Sequence, residues 1–329
     1  MSDENRHFAP SEAFAKNAIA QSGLYADAKA DRLGFWAKQA RELHWHKPFT
    51  QTLDFSNPPF AKWFADGQLN ISFNCLDRHV LAGNGDRTAL IFEGEPGDTK
   101  KISYAELTRE VKRAANALTS LGIKAGDRVA IYLPMIPEAI IAMQAVARIG
   151  AVHSVIFGGF SAESLASRIE DAQAKLVITA DGGYRKGKAS ALKPAVDEAL
   201  SAGKCPSVKN VLVVRRTHQD VDWIDGRDVE WSELVENASA EHEAEAFDAE
   251  HPLFILYTSG TTGKPKAIVH RTAGMVIEHV KALGLHQNVQ SGEAYFWYST
   301  TGWMMWNYAL SSLLLGATLY LYDGAPTYP

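Results

Sequence analysis

The chain has 329 residues, of which 46% are hydrophobic and 22% are charged. This composition excludes a disordered or collagen-like protein, and the length suggests about two or three folding units. The formal net charge is -5, without a block of basic residues, which argues against a nucleic-acid-binding or membrane-binding protein and favours small-molecule partners.

The two cysteines, Cys75 and Cys205, lack the spacing of a zinc site, and we predict no metal site from them. The first ten residues are polar and acidic and do not resemble a secretory signal. No apolar run approaches the roughly 20 residues that a membrane helix needs. These features predict a cytoplasmic protein and leave its oligomeric state open.

Residues 1–85 are rich in aromatic residues, histidine, asparagine and proline, with one convincing amphipathic stretch at residues 24–43. We interpret this region as an N-terminal arm. Aromatic residues in an irregular segment more often anchor it to a neighbouring domain than line a site.

From residue 86 apolar runs alternate with segments of helical period. Strands are predicted at residues 88–92, 129–133, 151–157 and 176–179. Helices are predicted to begin at the capping box of Ser103 and Glu106, after Pro137 and at Ser161. Strand-helix-strand units with buried strands imply an α/β fold with mostly parallel sheets flanked by helices.

Residues 216–250 are polar and acidic, and we expect a surface excursion or linker there, without a functional role. The alternating pattern then resumes. Strands are predicted at residues 253–257, 294–298 and 318–322, with helices at 275–283 and 304–315. The last seven residues, DGAPTYP, form a turn sequence directly after a strand, from which we expect a fragment of a longer protein.

The most informative segment is LYTSGTTGKPK at residues 256–266, a strand that runs into a loop of hydroxyls, glycines and lysines. Glycines let backbone amides approach oxygen atoms, hydroxyls donate hydrogen bonds and lysines neutralise charge, so the loop suits a polyphosphate. A Walker A loop would need other residues at Thr258 and Pro265. The candidate phosphate ligands are Thr258, Ser259, Gly260, Thr261, Thr262, Gly263, Lys264 and Lys266.

This loop resembles the phosphate-binding signature of the adenylate-forming enzymes, apart from Ala267, where that superfamily usually has glycine. Three longer strings are similar to the acetyl-CoA synthetase family of short-chain acyl-CoA synthetases: WFADGQLN at 63–70, YLPMIPEA at 132–139 and ARIGAVHS at 147–154. The resemblance implies an N-terminal arm over residues 1–85 and the first part of an AMP-binding domain over residues 86–329. We expect the mobile C-terminal domain of the family to be absent from this chain.

The resemblance also implies a coenzyme A site. Gly158 and Gly159, between a strand and a helix, would border it, and bare glycine backbone before a helix suits an anionic group. Arg185 and Lys188 correspond to two arginines that contact the nucleotide end of coenzyme A in the family. Lysine at the second position keeps the charge without the planar guanidinium.

Trp303, Met304 and Met305 are the candidate acyl pocket. The tryptophan matches the wall that limits acyl length in acetyl-CoA synthetases, which typically continue with Val and Thr. The two methionines make residues 296–307 look closer to acetoacetyl-CoA synthetase. Without the resemblance, this Trp and Met stripe would be read as core.

The resemblance therefore implies ATP-dependent activation of a short-chain carboxylic acid, foremost acetate, to acyl-adenylate and then acyl-CoA, with ATP, Mg²⁺ and coenzyme A. Acetoacetate and propionate are the alternative acids. We expect no catalytic residue beyond the phosphate loop, because positioning and electrostatics dominate such chemistry. We also expect the chain alone to be inactive or nearly so, which leaves a non-catalytic nucleotide-binding fragment as the second hypothesis. A dehydrogenase is discounted, because the GNG at residues 83–85 lacks a third glycine and precedes a strand.

Overall fold

The computed structural model describes residues 8–258 and 265–328. Its α-helices are α1 (Glu12–Asn17), α2 (Leu24–Ala30), α3 (Arg32–Arg41), α4 (Tyr104–Ser120), α5 (Pro137–Arg148), α6 (Ala162–Ala172), α7 (Lys193–Leu200), α8 (Trp231–Val235), α9 (Thr272–Lys281) and α10 (Met304–Leu310). Short 3₁₀ or π-helical segments lie at Phe73–Asp77, Val80–Asn84, Ser201–Gly203, Ala282–His286 and Ser311–Leu315. Within the described ranges, each helix is too short or too polar to span a bilayer.

The strands are β1 (Leu53–Asn57), β2 (Phe60–Trp63), β3 (Gln68–Leu69), β4 (Thr88–Gly94), β5 (Thr99–Ser103), β6 (Arg128–Tyr132), β7 (Val152–Val155), β8 (Leu176–Ala180), β9 (Gly182–Arg185), β10 (Lys188–Ala191), β11 (Asn210–Val214), β12 (Asp228–Glu230), β13 (Phe247–Asp248), β14 (Pro252–Thr258), β15 (Lys266–Arg271), β16 (Ala294–Tyr295) and β17 (Thr318–Asp323).

Two sheets organise these strands. The larger has the order β12-β11-β8-β6-β7-β14-β15 and is parallel except at its β14–β15 pair. The smaller has the order β16-β17-β4-β5 and is parallel except between β4 and β5. Strands β1 and β2, β9 and β10, and β3 and β13 form separate antiparallel pairs. The architecture confirms the predicted α/β fold with mostly parallel sheets flanked by helices.

Helices α4 and α5 lie between the two sheets. They pack against each other, while α4 also contacts β4 and β5, and α5 contacts β6 and β7. The predicted capping box begins α4: the Ser103 amide donates to Glu106 Oε2 at 2.8 Å, and the Glu106 amide donates to Ser103 Oγ at 3.2 Å. Every residue of α5 except Glu138 is buried, as expected for a helix covered on both sides.

The N-terminal arm packs on the core through its aromatic residues, as predicted. Trp36, Trp45 and Trp63 contact buried residues of the main hydrophobic core, and Phe64 is itself buried. The amphipathic stretch at residues 24–43 forms two helices, because Asp31 ends α2 and caps α3 by accepting from the Gly34 amide at 2.8 Å.

The expectation of a surface linker at residues 216–250 is wrong. This segment supplies β12 to the larger sheet and forms α8, whose Trp231 and Val235 are buried. A buried ion pair from Lys193 Nζ to Asp228 Oδ2 at 2.8 Å holds β12 in place. Asp228, one of the acidic residues of this segment, is therefore buried in the fold and does not belong to a linker. The strand predicted at residues 294–298 is also shorter, since β16 ends at Tyr295 and the next three side chains are exposed.

Candidate functional site

A cleft of about 300 Å³ opens where the carboxyl ends of β6, β7, β8 and β17 meet. In α/β proteins, ligands bind at this edge of the sheet. Its walls are Leu133, Pro134, Met135, Phe157, Gly158, Gly159, Gly183, Tyr184, Arg185, Ser190, Leu192, Thr300, Thr301, Asp323 and Gly324. The predicted coenzyme A residues Gly158, Gly159 and Arg185 are therefore brought together, although they come from separate turns.

A tyrosine side chain forms hydrogen bonds with the glycine turn after β7, residues 157–160. Tyr132 Oη lies 2.9 Å from the carbonyl oxygen of Gly158 and 3.0 Å from that of Phe160. A side chain at Gly159 would place its Cβ 2.4 Å from the Phe157 ring. A side chain at this position would therefore require the Phe157 ring to move, whereas glycine presents bare backbone to the cleft just before α6.

Arg185 and Lys188 face each other across the β9–β10 hairpin. The two residues between them, Lys186 and Gly187, have φ values of 53° and 74°, the left-handed pair of a tight two-residue turn. Both residues are exposed, but Arg185 lines the cleft and Lys188 is not part of its wall. The geometry supports a ligand contact for Arg185 more strongly than for Lys188.

A glutamate ties the hairpin to the segment after β17. Glu95 accepts from the Gly187 amide at 2.7 Å through Oε1 and from the Ala325 amide at 2.8 Å through Oε2. Desolvation acts to raise the pKa of Glu95, but these amides outweigh it and lower the pKa, so the carboxylate is ionised at neutral pH.

Asp181 organises the base of the same hairpin. Its Oδ1 accepts from the backbone amides of Gly182, Arg216 and Thr217 at 2.7, 2.8 and 3.0 Å. The backbone also approaches closely here, because a Cβ on Gly182 would lie 2.7 Å from the Ser190 carbonyl oxygen. A polar residue directly after a buried apolar strand was the available sequence signal for this role.

Asp323 ends β17 inside the cleft wall and was not predicted. Burial raises the pKa of Asp323 to about 6, although the guanidinium of Arg216 acts to lower it. Arg216 also lies 5.0 Å from the centre of the Tyr184 ring, so it contacts two residues of the wall. An aspartate at the end of an apolar strand, followed by glycine, was the signal that could have found it.

The candidate acyl residues lie beside the cleft and do not line it. Thr300 and Thr301 form part of the wall, and Gly302 packs on Phe157 with 3.0 Å between its would-be Cβ and the Phe157 Cβ. The Trp303 side chain is 65% exposed and Met304 is 45% exposed. Met305 instead packs partly against the core.

The phosphate loop begins at the same sheet edge. Thr258 is the last residue of β14 and pairs with Lys266, the first residue of β15, and both are exposed. Since β14 runs parallel to β7, Thr258 lies on the same side of the sheet as the glycine turn. The other predicted phosphate ligands, residues 259–264, lie outside the described residues.

Arg168 of α6 contacts both the glycine turn and the strand that leads into the phosphate loop. Its guanidinium lies 4.4 Å from the centre of the Phe160 ring and 5.5 Å from that of Tyr257. Tyr257 Oη also lies 2.8 Å from Asp171 Oδ2.

Within the part of the chain that the structure describes, no group of three or more acidic, histidine or cysteine side chains is arranged to hold a metal ion.

Comparisons with known proteins fit this arrangement. A family profile described as AMP-binding enzyme matches residues 77–329, and one described as acetyl-coenzyme A synthetase N-terminus matches residues 22–75. Acetyl-coenzyme A synthetase from Streptomyces avermitilis is 58% identical over 332 residues, covering 99% of this chain and 50% of the relative. The enzyme of the same name from Cupriavidus metallidurans is 48% identical, covering 99% and 51%.

A solved structure shares the fold. The acetoacetyl-CoA synthetase from Streptomyces lividans superposes with a TM-score of 0.86 at 34% identity, covering 96% of this chain and 49% of that one. The chain thus spans about half the length of the relatives it matches. The profile match covers most of the chain, and this chain belongs to the AMP-binding enzyme family.

Proposed function

We propose that this chain supplies the first part of a ligase that activates a short-chain carboxylic acid with ATP and transfers the acyl group to coenzyme A. The observation that carries the proposal is the shared sheet edge: the glycine turn and Arg185 line one cleft there, and the two ends of the phosphate loop pair at the carboxyl end of β14, which runs parallel to β7. The names of the relatives support the same activity.

In the first half-reaction a carboxylate oxygen attacks the α-phosphorus of ATP and pyrophosphate leaves. Thr258 and Lys266, with residues 259–264 between them, are proposed to hold the β and γ phosphates, because hydroxyls and ammonium groups stabilise the charge on the departing group. Mg²⁺ would arrive with the ATP phosphates as part of the substrate. The chain's own residues bind and orient the reactants.

In the second half-reaction the coenzyme A sulfur attacks the acyl carbon and AMP leaves. Gly158 and Gly159 would offer backbone to the coenzyme, and Arg185 would bind a phosphate of its nucleotide end. Lys188 is assigned a lesser role, since it stands outside the wall of the cleft.

Acetate is the proposed acid, because several relatives are named acetyl-coenzyme A synthetase. Acetoacetate is the second candidate. The observation that favours it is local: Met304 and Met305 follow Trp303, and the structural neighbour is named acetoacetyl-CoA synthetase. Propionate is the third candidate acid.

The division into an arm up to residue 85 and an adenylation domain after it stays a prediction.

The test is acid-dependent exchange between ATP and pyrophosphate, measured on the longest native product of the gene with acetate, propionate and acetoacetate side by side. Exchange with one acid supports the ligase proposal and identifies its substrate. No exchange with any acid, together with retained ATP binding, contradicts the ligase proposal and favours a nucleotide-binding protein. The 329-residue chain, assayed in parallel, is expected to bind nucleotide without turnover.

A further inference from the structure

A small cavity lies inside the protein, away from the cleft, between α5, β7, β14, α9 and α10. Five polar side chains line it, and two of them, His279 of α9 and Ser311, pair with each other at 2.8 Å between Nδ1 and Oγ. The other three come from three different elements: Gln144 of α5, His153 of β7 and Asn307 of α10. Their exposed fractions are 3%, 3% and 4%. The remaining walls are largely apolar.

These side chains carry four unpaired polar atoms. Gln144 Oε1, His153 Nδ1, and both Oδ1 and Nδ2 of Asn307 have no hydrogen-bond partner among the described residues. Turning the Asn307 amide by half a revolution would exchange its two atoms and leave both unpaired. A buried polar atom without a partner costs free energy comparable to a lost hydrogen bond, and four around one cavity require a common explanation.

The size and chemistry of the cavity fit water. The centre of a water molecule can move through about 30 Å³, which is room for about two molecules. Burial lowers the pKa of His153 to about 3, so its ring is neutral and Nδ1 donates or accepts according to its tautomer. The oxygens of Gln144 and Asn307 need donors, and the Asn307 amino group needs an acceptor. Only a ligand that both donates and accepts meets all of these needs.

We infer that the cavity is a binding site for ordered water, about two molecules, that bridges Gln144, His153 and Asn307. The water donates to the two side-chain oxygens, accepts from the Asn307 amino group and pairs with the His153 ring. It therefore joins α5, β7 and α10 through hydrogen bonds. This inference is independent of the proposed ligase activity, since it concerns the packing behind α10.

A high-resolution crystal structure of the chain tests the inference directly. The expected result is water density in the cavity within hydrogen-bond distance of at least two of the three side chains. A cavity without density overturns the inference. So does a structure in which the Asn307 amide bonds directly to Gln144 or His153.

Variants at Asn307 give an independent readout in solution. Asn307→Leu has nearly the same volume and removes both polar atoms of the side chain. If the cavity holds water, this substitution removes hydrogen-bond partners of the water, and Tm is expected to fall. In a dry cavity it removes two unpaired polar atoms, and a rise in Tm would therefore overturn the inference.

Asn307→Ser is the matched control. Its hydroxyl keeps a donor and an acceptor, and its smaller side chain leaves room for further water. The variant is expected to retain the water density in its crystal structure. Loss of that density in the serine variant would contradict the bridging role. If the leucine variant does not fold, the structure of the unsubstituted chain still decides.

Discussion

Arg216 donates from Nε to Asp323 Oδ2 at 3.3 Å, and its other nitrogens donate to Asp98 at 2.7 and 3.3 Å. The contact joins the end of β17 to the loop after β11 and the turn between β4 and β5. It therefore connects the two sheets beside the cleft. Asp323 still keeps a raised pKa, which shows that its burial outweighs the nearby positive charge.

This relationship predicts a pH dependence of stability. The pKa of Asp323 rises from 3.8 to about 6 on folding, so ionisation of this group destabilises the folded state as pH rises from about 4 to about 6. The loss amounts to about 3 kcal/mol in the free energy of unfolding. In Asp323→Asn this contribution is absent. Urea unfolding at pH 4 and pH 7 should show a smaller loss for the variant, and an equal loss would contradict the assignment. The exposed Asp220→Asn is the control.

A second prediction concerns the anchor of the N-terminal arm. Arg148 donates to both carboxylate oxygens of Asp77, at 2.7 and 3.0 Å, and its side chain is buried. Arg148→Met should lower the free energy of unfolding by about 3–5 kcal/mol, because it leaves a buried charge with fewer partners. The measurement is denaturant unfolding. Asp77→Leu combined with Arg148→Met should cost less than the sum of the single changes, and additive losses would show that the pair is not coupled.

A third prediction tests the phosphate loop. Lys264→Ala with Lys266→Ala should weaken ATP binding tenfold or more, since a hydrogen bond to a charged group contributes about 1.5–3 kcal/mol. Calorimetric titration with ATP measures the effect. Lys29→Ala, an exposed lysine of α2, should leave the affinity unchanged. Unchanged affinity in the double variant would refute the assignment of this loop.

A fourth prediction separates the two hairpin cations. Because Arg185 lines the cleft and Lys188 does not, Arg185→Ala should raise the KM for coenzyme A of the longest native gene product more than Lys188→Ala does. Loss of a charge-assisted hydrogen bond corresponds to about tenfold or more. The KM for ATP serves as the internal control. Equal effects on coenzyme A would mean that both side chains reach the ligand.

Local sequence signals predicted much of the fold. The Ser103 and Glu106 capping box and the apolar runs of β6 and β8 depend on neighbouring residues, and they were placed within one or two positions. Strand β12 was missed, since its three residues carry two carboxylates and owe their position to β11 and to the buried Lys193. No local pattern reports such a distant partner.

Sequence signals likewise identified only some of the residues of the site. Glycines and cations drew attention to Gly158, Gly159 and Arg185, and the fold brings them together. Asp323 was not predicted as a site residue. Its raised pKa arises from burial by elements that are far away in the chain, which no local pattern reports. Thr300 and Thr301 line the cleft but were not among the predicted acyl residues, whereas the predicted Trp303 is 65% exposed and does not line it.

The two oxygens of Glu95 accept from the amides of Gly187, in the β9–β10 hairpin, and Ala325, in the segment after β17. Order in the hairpin and order in the segment after β17 are thereby linked. Because such linkage is reciprocal, a ligand that immobilises Arg185 would also favour one position of the Ala325 segment, and a contact that fixes that segment would strengthen binding at the hairpin by the same factor.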